Sequence, residues 1–241
     1  MMNRTAPLAL AVSLASSTLA QSIDEFVQTG FRDASFTVVA VSRNERELSK
    51  INKDFALATK VQTGQVRLKA PFLIRMESTV DDTRIVYVFN GARRLIRLPN
   101  SNIAHRDNFA NAPGKRQTSL DFGILTSALF KDLFQAKFVR VDRASGHHVF
   151  DLTYVPALGD GTRHRVWIDK ERRFMTRREW YSQIDGRLMA TFAYEEPLTQ
   201  GGVTIPTRIT VRNADNKVAG ITAYRDVRLN SGLDDSLFKV D

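Results

Sequence analysis

From Arg163 to Leu229 the chain is a nearly unbroken series of alternating runs, and little of the remaining sequence has the helical periodicity needed to cover the sheet they build. Phe174, Thr176, Arg178 and Trp180 alternate with Met175, Arg177, Glu179 and Tyr181. Leu188, Ala190, Phe192 and Tyr194 share one face of the next run. Val203, Ile205, Thr207, Ile209 and Val211 mark a third, and Ala219, Ile221, Ala223, Arg225, Val227 and Leu229 a fourth. A period of two puts successive side chains on opposite faces of a strand. Asp185-Gly186, Gly201-Gly202 and the polar stretch Asn213 to Lys217 separate the runs, and such residues accept the positive φ of tight hairpins. Strands joined this closely run antiparallel, because a parallel connection takes about a dozen residues or more.

The rest of the chain adds strands rather than helices. Ala34 to Val41, Phe55 to Val61, Gly64 to Lys69, Phe72 to Ser78, Arg84 to Phe89 and Arg94 to Leu98 read as strands, as do Phe138 to Val141 and Val149 to Val155. Arg43 to Asp54 is charged and reads as a turn or loose edge. Pro99 to Thr118 reads as a loop, on its Asn content and Pro113-Gly114. Two segments have helical character. Ser22 to Phe31 has a capping Ser22, acidic Asp24 and Glu25 in its first turn, and Gly30 to end it. Ser119 to Phe134 carries Ile124, Leu125, Ala128, Leu129 and Leu133 as an apolar stripe. Two helices cover about ten strands only if the sheet curls around them. The expected fold is mainly β (α+β): a strongly curved antiparallel sheet forming an incomplete barrel, with an N-terminal helix and a mid-chain helix on its concave side. With no repeat and no linker, residues 21–241 are expected to form one domain.

Residues 1–20 carry Arg4, an apolar run from Leu8 to Leu14 and small residues up to Ala20. This is the layout of a secretory signal peptide, and the apolar run is shorter than the ~20 residues a membrane-spanning helix needs. The chain has no cysteine. It therefore has no disulfide framework, and no cysteine behind the signal to be acylated, so a soluble, exported, periplasmic protein is expected. The formal net charge of +9 becomes +8 without residues 1–20, which hold one Arg and no acid. Such a balance favours anionic partners. The basic residues do not form a block, however: Arg93-Arg94, Arg163 and Arg165, Arg172-Arg173 and Arg177-Arg178 fall where strands turn or face outward, as a solvated surface would. Nucleic acid is not expected as a partner.

Catalytic constellations are hard to assemble. His147 and His148 are adjacent, so a strand points them to opposite faces, and neither His105 nor His164 is spaced to complete a metal site. There is no cysteine nucleophile and no Gly-x-Ser-x-Gly elbow. Asp81-Asp82, Glu195-Glu196 and Asp234-Asp235 are sequence neighbours, whereas acid–base work needs two carboxyls aimed at one point with separated pKa values. Neither an enzyme nor a cofactor is expected. The aromatic and aliphatic residues on strands say more. Phe36, Phe72, Ile74, Tyr87, Phe89, Trp167, Trp180, Phe192 and Tyr194 pack a core or line a trough left by a curved sheet under only two helices. A trough of this kind suits acyl chains, each buried methylene contributing ~0.8 kcal/mol.

At these residues the chain resembles the LolA-type periplasmic outer-membrane lipoprotein carriers and the wider lipoprotein-sorting group. Ala34-Ser35-Phe36-Thr37 resembles that family's first strand, and Gly64 to Pro71 followed by Ile74-Arg75 its strand, Pro and apolar-Arg pattern. Trp167-Ile168-Asp169-Lys170 and Asp185-Gly186 are similar to its middle. Ile205-Pro206 and the run from Val227 to Phe238 are similar to its C-terminal part. The resemblance implies an incomplete barrel with helices as a lid, and a hydrophobic cavity for lipoprotein acyl chains. It also implies an inner-membrane ATP-driven transporter and an outer-membrane receptor as partners, and a monomer. Carriers of this type hold a basic residue directly before the motif Pro, tying lid to barrel. Here that residue is Ala70, and Lys69 beside it faces the other way by strand alternation. Arg75 matches the family's Arg after the apolar position. The expected function is a carrier that shields acyl chains without bond chemistry. A lipid-sensing regulatory domain of the same fold, and an exported lipid hydrolase, are the alternatives.

Overall fold

The computed structural model describes residues 21–57 and 60–241; the signal-peptide reading lies outside them. Thirteen strands form one antiparallel sheet that does not close. They are β1 (Asp33–Arg43), β2 (Thr63–Lys69), β3 (Leu73–Val80), β4 (Thr83–Asn90), β5 (Arg93–Leu98) and β6 (Ile103–Asn108), then β7 (Phe134–Val141), β8 (His148–Tyr154), β9 (Arg163–Asp169) and β10 (Phe174–Tyr181). Three long strands complete the sheet: β11 (Leu188–Gln200), β12 (Val203–Asn213) and β13 (Val218–Leu229). The order is β6-β5-β4-β3-β2-β1-β13-β12-β11-β10-β9-β8-β7. Every neighbouring pair is sequential except β1 with β13, so the first and last strands sit together in the middle and β6 and β7 form the two edges.

That order dictates what fills the concavity. The chain must travel from one edge to the other between β6 and β7, and residues 109–133 make this passage through the interior. Leu120, Phe122, Ile124, Leu125 and Leu129 of the passage join one core with Phe36, Leu68 and Ile74 from one half of the sheet and Phe150, Val166, Phe192 and Tyr194 from the other. The expected helix over Ser119 to Phe134 is here reduced to a 3₁₀ turn, Ser119–Phe122, and a single α-helical turn, α3 (Leu129–Asp132), while Phe134 already starts β7. Gly123, at φ +82°, ends the first turn. A stripe suits a segment buried on one side; residues 119–126 are buried almost without interruption, so sheet contacts rather than helical periodicity set their path.

Other local expectations change for similar reasons. The N-terminal helix is one 3₁₀ turn, Ile23–Phe26, after which Gln28 bridges Thr126 of the passage. Residues expected as a turn form α1 (Glu45–Ser49), whose Asn44 cap accepts from Glu47 N, and Phe55 falls in α2 (Lys53–Leu57) instead of a strand. These short helices link β1 to β2 in sequence but pack elsewhere: α1 on β12 and β13, and Phe55 of α2 on Trp180 of β10 and Phe192 of β11. The stretch read as a loop contains β6, in which Ile103 to Asn108 pair with Arg93 to Leu98.

A second, smaller core lies on the convex face, where Val86, Val88 and Leu95 are covered by Phe238 and Val240 of the C-terminal segment. Asp33, 2% exposed, accepts from Ser231 N, Ser231 Oγ and Gly232 N and turns that segment under the sheet. Two residues of the family-like motif hold it there: Lys69 Nζ donates to Leu233 O at 2.7 Å and Arg75 NH1 to Leu237 O at 3.0 Å. The expectation that Lys69 faces away from the lid side agrees with this placement.

Candidate functional site

The concave face of β1 to β6 is built in cross-strand rows. Phe36, Val66, Met76, Tyr87 and Ile96 lie opposite one another on successive strands, and Ala34, Leu68, Ile74 and Phe89 form the neighbouring row. The inner ends of both rows are sealed in the core. Towards β6 the cover runs out: Ile85, Tyr87, Ile96 and Leu98 are partly exposed and belong to neither core, and Ile103 on the edge strand is 54% exposed. An apolar strip therefore leads from solvent towards the interior along one half of the sheet.

The other half is closed by packing. Phe55 of α2 stacks on Trp180, ring centroids 6.3 Å apart, and lies 6.1 Å from Phe192. Behind it sits a buried ion pair. Arg178 NH1 donates to Asp121 Oδ1 at 2.9 Å, with only 6% of the Arg178 side chain exposed, and its guanidinium lies 4.3 Å over the Phe192 ring. Burial acts to lower the Arg178 pKa, but Tyr194 and Asp121 beside it leave the guanidinium held above its ordinary range. Tyr194 donates to Leu120 O at 3.3 Å, and burial raises its hydroxyl to about 12. Asp121 also closes a capping box with Thr118. The edge-to-edge passage is thus attached to β10 and β11 by one charge pair and one hydroxyl. On the opposite side, Gln28 clasps it: Gln28 N donates to Leu125 O, and Nε2 to Arg173 O at 2.6 Å.

Of the residues expected to line a trough, Phe36, Ile74, Phe89, Phe192 and Tyr194 are buried in the main core, and Phe72 and Trp180 pack against it partly buried. Tyr87 stands on the half-open strip. Trp167 points the other way: Val166 and Ile168 on either side of it belong to the main core, and Arg177 lies 4.5 Å over its ring on the convex face. Pro71 is exposed and Ala70 packs on the core, and with Leu68, Phe72, Ser119 and Thr126 they border a void of about 10 Å³. That is far below the ~300–1,000 Å³ of ordinary ligand pockets. Around this motif the interior is therefore filled by the protein's own side chains. Ser119 Oγ and Thr126 Oγ1 at this void are buried without hydrogen-bond partners.

Sequence reasoning passed over Arg178, Asp121 and Phe55. The Arg177-Arg178 pair was expected on the solvated face, yet Arg178 is buried. An alternating run with Phe192 and Tyr194 opposite it offered a signal, since a lone Arg on an apolar face calls for a buried carboxylate. Among the described residues no cluster of three metal-binding side chains occurs, and no helix is long and apolar enough to cross a membrane.

Three solved structures share the architecture. A putative outer-membrane lipoprotein-sorting protein domain from Vibrio parahaemolyticus superposes with a TM-score of 0.60 at 13% identity, over 87% of this chain and 90% of its own. A DUF1329 family protein from Desulfovibrio piger gives 0.58 at 14% identity, with the same coverage of 87% and 90%. A LolA superfamily protein from Nitrosomonas europaea gives 0.57 at 19% identity over 90% and 93%. No curated protein matches the sequence. A family model described only as an uncharacterized protein matches residues 121–241. The chain has the fold of the LolA superfamily, and it belongs to the family of uncharacterized proteins whose model spans its residues 121–241.

Proposed function

We propose that this protein is a periplasmic carrier that takes up the acyl chains of lipoproteins, or of free lipids, on its concave face and performs no bond chemistry. The observation that carries this reading is the apolar strip Ile85, Tyr87, Ile96 and Leu98, which runs into a core whose cover is a passage with only single helical turns and two five-residue helices. Cover made of short segments is displaced more readily than long packed helices, because each piece has few buried contacts. Loading would move Phe55 and the passage outward and place methylenes against Phe36, Phe192 and Trp180. The lipoprotein-sorting description of the Vibrio parahaemolyticus structure fits this role. In such a role the carrier would be exported by residues 1–20 and would exchange cargo with an inner-membrane ATP-driven transporter and an outer-membrane receptor.

Mass spectrometry of native protein from a periplasmic extract, together with titration by a fluorescent fatty acid, tests the reading. Co-purifying acylated molecules and a saturable signal are expected. Protein without extractable lipid and without saturation would overturn it.

A further inference from the structure

The convex face of β7 to β10 holds a groove of about 480 Å³ that the acyl-carrier reading does not use. The β7–β8 turn forms one wall, with Asp142, Ser145 and His147; Arg165 and Trp167 of β9 form the floor, with Arg177 and Glu179 of β10 beyond them. Its volume falls in the range of small-molecule sites. It lies on the opposite side of the sheet from the apolar strip.

The groove's hydrogen-bonding balance is one-sided. Each carboxylate in or beside it is already engaged. Asp142 accepts from Ser145 N at 3.1 Å and Ser145 Oγ at 2.8 Å. Asp151 takes both Nε and NH2 of Arg165, at 2.7 and 2.9 Å, and NH1 of Arg163. Glu179 accepts from Arg177 NH2 and from the Tyr181 hydroxyl. The donors are not used up in the same way. Arg140 forms an ion pair with Asp142 at 3.8 Å, beyond hydrogen-bond distance, and among the described residues its N–H groups donate to no protein acceptor. Arg177 uses one nitrogen, its plane held over Trp167, and Arg165 uses two. Thr176 Oγ1 lies 3.0 Å from His147 Nδ1 and 3.3 Å from Trp167 O, which holds the His147 ring in the groove wall without adding a donor to the balance.

We propose that this groove is a binding site for a phosphate group, carried by a small soluble ester or by a lipid headgroup. Three guanidiniums present more N–H groups than the two oxygens of one carboxylate accept, whereas a tetrahedral phosphate offers oxygens in several directions and pairs with Arg in bidentate fashion. Arg140, the one with no hydrogen bond to give up, closes onto the ligand, while Arg177 is already oriented by Trp167 and Glu179. This assignment does not depend on what the concave face carries.

The test uses the full mature chain in two arms: calorimetric titration with inorganic phosphate and with glycerol phosphate, and flotation with vesicles of phosphatidylglycerol against phosphatidylcholine. Saturable binding is expected that Arg140→Ala weakens about ten-fold, the loss of one charge-assisted contact, with Arg177→Ala at least as damaging. Arg225→Ala, an exposed arginine on β13, controls for net charge and should change little. Binding of the soluble phosphates alone identifies a free ester as the ligand. Arg140-dependent flotation with phosphatidylglycerol identifies a headgroup. No saturable binding in either arm, or an Arg225→Ala effect equal to that of Arg140→Ala, overturns the site.

Discussion

Arg178 NH1 lies 2.9 Å from Asp121 Oδ1, and this pair joins strand β10 to the passage that crosses the inside of the sheet. Removing one partner strands the other. Asp121→Asn leaves a buried guanidinium without its counter-charge; full burial would put the cost at 3–5 kcal/mol, and because a third of the Asp121 side chain is exposed we expect ~2–3 kcal/mol. Arg178→Met in the same chain should recover much of that loss, since the site is otherwise apolar. Urea midpoints of both single variants and the double variant measure the coupling. Limited proteolysis should cut within residues 109–128 faster in Asp121→Asn than in the double variant.

Gly123 is confined by conformation and by space together. At φ +82° an added Cβ would stand 2.6 Å from both Tyr194 Cδ1 and Pro206 Cγ. Gly123→Ala is expected to lower stability by ~2–4 kcal/mol, the sum of left-handed strain and overpacking. Thermal unfolding gives the number, and a loss under ~1 kcal/mol would mean that the passage shifts freely to make room.

Two aromatic positions separate lipid contact from core packing. Tyr87 is on the half-open strip, so Tyr87→Asp should weaken fatty-acid binding while changing stability by ~1 kcal/mol or less. Phe192 is 6% exposed, so Phe192→Asp should unfold the protein outright. Binding titration paired with a denaturation curve on each variant reads both quantities. Equal losses of binding and stability at Tyr87 would return that residue to a purely structural role.

Glu77 gathers Arg67, Arg75 and Arg84 on the convex face. Burial raises its pKa, but hydrogen bonds from Arg75 and Arg84, with the charges of Arg75 and Arg67, bring it down from 4.5 to about 2. A depressed folded-state pKa stabilises the protein fully above the ordinary carboxylate range, and the contribution disappears as pH falls from 4.5 to about 2. Glu77→Gln should therefore be less stable than the parent at neutral pH, and the gap should close across that window in urea titrations at stepped pH. A constant gap down to pH 2 would contradict the assignment.

Phe55→Ala removes the ring that rests on Trp180 and Phe192. Because Phe55 is only partly buried, the expected cost is ~1–2 kcal/mol, below the 3–5 of a fully buried phenylalanine. Tryptophan emission should shift to the red as water reaches Trp180. Fatty-acid uptake should accelerate in stopped flow if α2 is the segment that moves.

The long alternating runs were legible because each carries its own signal. Asp185-Gly186 and Gly201-Gly202 mark the hairpins, and β10 to β13 pair in sequence order as those turns require. The Ile103 to Asn108 edge strand was not legible, since it is exposed along almost its whole length and has no alternation to read. The faces of β9 and β10 were equally hidden. A register shift between Met175 and Arg177 puts Thr176 beside Arg177 at the convex groove and Met175 in the core, which uninterrupted alternation does not foresee.

Sequence by itself determined the antiparallel, open, curled sheet: period-two runs, positive-φ turns and a shortage of helix leave few other ways to bury these residues. Tertiary structure decided what covers the sheet. Pairing β1 with β13 sends β6 and β7 to opposite edges, so residues 109–133 must cross the interior, and Asp121 meets Arg178 only because of that crossing. These are contacts between residues 57 apart in sequence, set by the strand order of the whole sheet, and no local pattern encodes them.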